Sequence, residues 1–255
     1  MLALGALGVG EAAAQCALTP IGSATVAAVR DGRTLVLTDG RELRLAAIET
    51  PDAPHAAAAK SALEALAGGQ TLSLKRLGES SDTDRYSRPV AFAFLPDADE
   101  SLQESLLETG QAEVSARVGD KACADLLLNL ERSARAGRRG LWADPNFAPL
   151  PADKPGEIAA KRGQFALIEG KVLSVHVSGA TIYVNFGRRW TRDFTVMIAR
   201  RRQRAFAAGG VIANKLAGRR VRVRGWIEQR GGPIIEAEAP EQIEVADEQG
   251  LWLRH

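Results

Sequence analysis

Two charged turns close together constrain this chain more than any other feature. Val29-Arg-Asp-Gly-Arg-Thr34 joins two β-like runs through Asp31-Gly32, and Leu43-Arg-Leu-Ala-Ala-Ile-Glu-Thr-Pro-Asp52 ends a third run at a proline. An Asp-Gly pair between apolar runs favours a tight hairpin, and Asp39-Gly40 repeats the signal. The expected meander brings Arg44, Glu49 and Asp52 together at strand ends. Those groups suit phosphodiester hydrolysis. The arginine neutralises a phosphate, one carboxylate helps bind a metal, and the other deprotonates a water. Taken alone, an arginine–carboxylate set is more often a structural ion pair, and that reading stands beside the catalytic one.

Around this stretch the pattern predicts strands at 23–29, 34–38, 41–48, 70–76 and 89–95. Helices are predicted at 55–66, behind Ser101 and Glu104 as a capping box, and at 121–136 behind Asp120 as N-cap. Five short strands with inserted helices are the count of a Greek-key barrel of the OB type. Four prolines between Pro145 and Pro155 read as a semi-rigid linker. Beyond it, strands are expected at 165–176, 181–186, 194–198, 219–229 and 234–239, with a basic helix at 200–208. That is again the OB outline. The fold class is therefore mainly β with α insertions, a barrel followed by a second, smaller OB-like barrel. The expected division is a signal-like segment at 1–19, a first domain at 20–144, the linker at 145–160, a basic domain at 161–248 and a tail at 249–255.

Charge supports that division. Residues 1–160 hold 16 Lys and Arg against 22 Asp and Glu, a balance of −6, and residues 161–255 hold 17 against 9, a balance of +8. The second half is thus the one suited to a polyanion. The apolar start, Met1 to Val9, followed by Glu11-Ala-Ala-Ala-Gln15, resembles a secretory signal without its basic n-region. It points to an exported protein, periplasmic or secreted, with a cytoplasmic one as the alternative. No run elsewhere approaches the roughly 18 apolar residues of a membrane span. Cys16 and Cys123 are the two cysteines. Either they pair, as export allows, stabilising by up to about 4–5 kcal/mol in the chain-entropy model, or they are unrelated. His55, His176 and His255 are far apart in sequence, and no zinc-like spacing occurs.

At Asp31-Gly-x-Thr34, Leu43-Arg-Leu45, Glu49-Thr-Pro-Asp52, Thr83-Asp-Arg-Tyr-Ser-Arg88, Gly110-Gln-Ala-Glu-Val114 and Arg138-Arg-Gly-Leu-Trp142, the chain resembles the staphylococcal nuclease (thermonuclease) family over residues 20–145. The resemblance implies a calcium-dependent phosphodiesterase acting on DNA and RNA. It makes Arg44 and Arg88 the phosphate-gripping arginines and Asp52 the group that activates water. Glu49 becomes a calcium ligand, Thr50 a backbone-carbonyl ligand, and Arg85 with Tyr86 contacts for a terminal phosphate. The chain departs from the family at Arg33, where the family has a calcium-binding aspartate. A cation there removes one oxygen ligand and repels the metal, whereas calcium takes six to eight oxygens. Glu49 and Asp52 exchange the family's carboxylate lengths, and the base-stacking tyrosine is replaced by Ala116. Two outcomes follow. Either Arg33 takes over charge neutralisation in a working nuclease, or the barrel is an inactive homologue that binds nucleic acid or serves as an envelope interaction module.

The stretch from 161 to 225 holds 15 basic residues against Glu169 and Asp193. The candidate nucleic-acid contacts are Arg188, Arg189 and Trp190 in a loop, Arg200, Arg201, Arg202 and Arg204 on the short helix, and Arg220, Arg222 and Arg224 on one strand face. Basic residues with interleaved aromatics on an OB-like surface suit single-stranded DNA or RNA. The alternatives are a solvated face or a surface that docks on the acidic first half.

Overall fold

The computed structural model describes residues 16–78, 83–84 and 86–246. Its first half is organised by β1 (Leu18–Asp31), a 14-residue strand that serves two neighbours. Its first part pairs with β5 (Thr71–Leu77) and its second with β2 (Thr34–Leu37), with register shifts in both ladders. Bulges bend a strand and raise its twist, so one strand can close a ring. With β3 (Glu42–Leu45) and β6 (Val90–Phe94) the ring closes as β1-β2-β3-β6-β5. The β3–β6 pair is parallel and sets Arg44 opposite Val90, two residues past Arg88. A two-residue pair, β4 (Ile48–Glu49) with β7 (Glu113–Val114), places Glu49 across from Glu113.

Three helices cover this barrel. Helix α1 (Ala56–Ala67) buries Ala59, Leu63 and Ala67 along one stripe. Helix α2 (Leu102–Glu108) starts from the Ser101–Glu104 capping box. Helix α3 (Lys121–Ala136) is capped by Asp120, whose carboxylate accepts from the Cys123 amide at 2.9 Å. Cys123 is disulfide-bonded to Cys16, with Cα atoms 4.5 Å apart, so the pairing alternative holds. The α3 stripe also buries Glu131 fully, a carboxylate where the helix pattern calls for an apolar side chain.

The second half contains β8 (Leu150–Pro151), α4 (Pro155–Ala159), β9 (Phe165–Lys171), β10 (Ser174–Ser178), β11 (Thr181–Asn185) and β12 (Thr195–Ala199). These are followed by α5 (Gln203–Ala208), β13 (Arg220–Trp226), β14 (Glu228–Arg230), β15 (Gly232–Ala237) and β16 (Ile243–Val245). They form two sheets, β10-β11-β12-β15-β14 and β16-β13-β9-β8. The strand expected over 165–176 is two strands in different sheets. Val172, 1% exposed, turns inward between them, and its amide pairs with Arg219 O. Ile227 splits the strand expected at 219–229 in the same way. The proline-rich stretch is not a free linker, because Leu150 pairs in parallel with Ile168.

The two halves meet through side chains. Ala134, Leu141 and Trp142 pack with Leu167 in a small core of their own. Beside it lies Arg224 of β13, 1% exposed, which binds Glu131 at 2.7 Å and Glu244 at 2.8 Å and donates to Val114 O. Glu241 accepts from the amides of Val118 and Gly119. The turn carrying Trp142 is held by Gly110 and Gly140. Both have positive φ, and a Cβ on either would meet the other's segment at 2.1–2.2 Å.

Candidate active site

The Asp31–Thr34 turn, the end of β3, the start of β4 and the segment before β6 bring three arginines and their carboxylates together. Arg33 is fixed by its own turn, because its amide donates to Asp31 Oδ1 at 2.9 Å. Its guanidinium contacts Glu49 and donates to Ile48 O at 3.4 Å. Arg44 reaches the other Glu49 oxygen at 3.3 Å. One carboxylate, 11% exposed, therefore bridges two guanidiniums. Burial, followed by repulsion from Arg44, pulls the Arg33 pKa down to about 10, and Arg88 adds to the repulsion while Asp31 and Asp52 oppose it.

Arg88 is held differently. Its Nη2 lies 2.7 Å from Asp84 and its Nη1 3.7 Å from Glu42, while its guanidinium lies over the Tyr86 ring at 5.3 Å. The Asp84 hydrogen bond raises its pKa. Asp52 follows β4 on the turn that starts α1, where its carbonyl accepts from the amides of His55 and Ala56. It is exposed, and its carboxylate accepts no hydrogen bond among the described residues. It borders a cavity of about 310 Å³ with Arg33, Glu49 and Thr50. His55 Nε2 sits 2.9 Å from Asp144, tying the start of α1 to the turn that leads into the second half.

Residues 36–144 match the staphylococcal nuclease homologue family. They form a staphylococcal nuclease homologue domain. No curated protein matches the chain. Within the nuclease-homologue domain the structure brings Arg44, Glu49, Thr50 and Asp52 to one site, with Arg88 and Tyr86 at its edge. Arg85 lies outside the described residues, as does the signal-like segment through Gln15. The calcium ion implied by the family does not fit the donor set. Glu49, the implied ligand, is occupied by Arg33 and Arg44, and the described residues hold no cluster of three metal-binding side chains. A guanidinium stands where the resemblance puts an anionic ligand.

The basic second half divides in two. Arg188, Arg189, Trp190, Arg200, Arg201 and Arg204 are exposed or half-buried at the surface, and Arg202 sits beside Glu238. The β13 arginines require a correction. Arg222 and Arg224 are buried by α3 and β16 and face Glu169, Glu131 and Glu244, so they cannot reach a nucleic acid. Arg220 is exposed but paired with Glu169 at 2.5 Å. The docking alternative describes Arg224, which reaches Glu131 and Val114 of the first half, while Arg222 pairs within the second half.

Sequence reasoning missed Glu113. It is 7% exposed, and burial and the nearby Glu131 push its pKa up to about 8 despite Arg224 and Arg135. The signal was an acid between Ala112 and Val114, two apolar residues that are themselves fully buried.

Proposed function

We propose that the chain is a phosphodiesterase acting on single-stranded DNA or RNA, with an arginine-based site in place of a calcium-based one. The convergence of Arg33, Arg44 and Arg88 beside the open carboxylate of Asp52 carries this reading. Arg44 and Arg88 hold the non-bridging oxygens of the scissile phosphate. Arg33 adds positive charge that grows in value as charge develops in the transition state. Glu49 keeps two like-charged guanidiniums side by side, and Asp52 takes the proton of the attacking water. The resemblance to the nuclease family supports the reaction type. Arg188, Arg189 and Trp190, with the Arg200–Arg204 helix, are the proposed strand-holding surface, and both halves are proposed to be OB-type domains. The disulfide supports an exported protein. Among the described residues no helix is long and apolar enough to cross a membrane.

Arg33 and Arg44 on Glu49, with Arg88 on Asp84, also favour a second reading, in which the pairs are locked and the protein binds without cutting. One assay separates the two: single-stranded DNA and RNA incubated with the protein, with added calcium and with chelator, beside Asp52→Ala. Cleavage lost in Asp52→Ala supports the enzyme. Salt-sensitive binding without cleavage in any condition supports the second reading.

A further inference from the structure

The cavity beside Asp52 does not belong to the nuclease-homologue domain alone. Its far wall comes from the second half, from Lys161, Gln164, Phe165 and Trp226. Phe165 and Trp226 are cross-strand partners on β9 and β13, and their rings meet edge-on at 5.9 Å. Trp226 remains 47% exposed, which leaves a large aromatic face open at the cavity mouth. Lys161 is half-buried and has no carboxylate partner among the described residues. On the near wall, Glu113 is more than nine-tenths buried, and its carboxyl has no hydrogen-bond partner among the described residues.

These groups form a chemically specific set. An open indole face stacks on any base. An ammonium with no carboxylate partner among the described residues, lining the same cavity as Arg33, suits a phosphate. Glu113 and the amide of Gln164 line the same cavity, and their hydrogen-bonding groups suit the edge of a nucleobase. The volume of about 310 Å³ is at the small end of ligand pockets and suits one nucleotide unit. We propose that this cavity is a nucleotide subsite in which the base next to the scissile phosphate stacks on Trp226, with Lys161 holding its phosphate, so that the second half of the chain completes the active site. The subsite rests on the nuclease reading for its position relative to the cut bond, but not for its ability to bind a nucleotide.

The test uses the full chain and adenosine 5′-monophosphate, followed by calorimetry, together with cleavage of a short single-stranded DNA. Trp226→Ala is expected to weaken nucleotide binding by about 5- to 150-fold, the range for one stacked base, and Trp226→Phe to restore most of it. Lys161→Gln is a second variant for the case that Trp226→Ala does not fold. It is expected to weaken binding and to make what remains less sensitive to ionic strength, because one charge pair with the phosphate is gone. In cleavage, Trp226→Ala is expected to raise KM with kcat within about twofold of the parent, as a lost ground-state contact does. Nucleotide binding without cleavage sinks the nuclease reading and leaves the subsite standing. Cleavage with no dependence on Trp226 or Lys161, or no nucleotide binding by the parent, overturns the subsite.

Discussion

Two arginine clusters carry opposite meanings in this molecule. At the cleft, Arg33 and Arg44 both reach the carboxylate of Glu49, and Arg33 borders a cavity. Where the halves meet, Arg222 and Arg224 are matched by Glu169, Glu131 and Glu244, and the Arg224 side chain is sealed from solvent. The residue type is the same, and so is its placement on or beside a β-strand. What differs is access: Arg33 borders a cavity, whereas Arg222 and Arg224 are closed in among carboxylates they share with Arg132, Arg135 and Arg220. An arginine cluster open to a cavity can take a ligand, whereas a sealed one acts as an adhesive.

The comparison makes unequal predictions for substitutions. Arg224→Ala is expected to have the largest effect on stability, because it leaves Glu131 and Glu244 buried without this partner. A loss of about 3–5 kcal/mol in chemical denaturation is expected, and a loss under about 1 kcal/mol would place this arginine in the same class as a surface pair. Arg44→Ala reverses the pattern. Cleavage of single-stranded DNA should fall by about 100- to 1000-fold while stability changes little, since Glu49 keeps Arg33. Equal losses of stability in the two variants would erase the distinction between the clusters. Reduction of the Cys16–Cys123 bond is expected to lower stability by about 2–4 kcal/mol, read as a lower melting temperature with intact secondary structure.

Glu113 sharpens the comparison through pH. Its pKa is raised on folding, so between about 4.5 and about 8 the folded chain holds a proton that the unfolded chain has released. Stability therefore declines as pH rises through that window. Glu113→Gln should melt with the parent near pH 4 and above it by about pH 8.5, by about 2–4 °C for every kcal/mol recovered. Glu131 has the opposite sign. Despite burial, Arg224 and Arg135 hold it down to about 2, so its contribution is present at neutral pH and fades below pH 4.5. The smallest effect belongs to Arg220→Ala, an exposed partner of Glu169, where under about 1 kcal/mol is expected by the same denaturation measurement.

How far the sequence could be read follows from the range of each interaction. Ser101 with Glu104 and Asp120 with Cys123 are contacts three residues apart, and both caps form as expected. The Asp31–Asp52 region is also local, so chain spacing alone groups Arg44, Glu49 and Asp52. Its detail was harder, because a residue type does not reveal that Glu49 would be taken by both Arg33 and Arg44. Val172 and Ile227 break their strands by turning into the core, and an apolar residue reads alike whether it continues a strand or ends one. The fate of the β13 face was the least legible. Alternating Arg and Val describe a solvent-facing strand until α3 is laid across it with Glu131.

Arg224 reaches Glu131 across 93 positions of chain, and that separation is also an interval of time. A ribosome adding about 5–20 residues per second makes the helix carrying Glu131 some 5–20 s before its second counter-ion exists, with Arg135 of the same helix as the first. Through that interval Glu131 has Arg135 beside it but lacks the Arg224 guanidinium that caps it from the second half. The last strands to be made therefore act as a latch. Their arrival turns a provisional helix into a fixed one and sets the wall of the cleft in the same step.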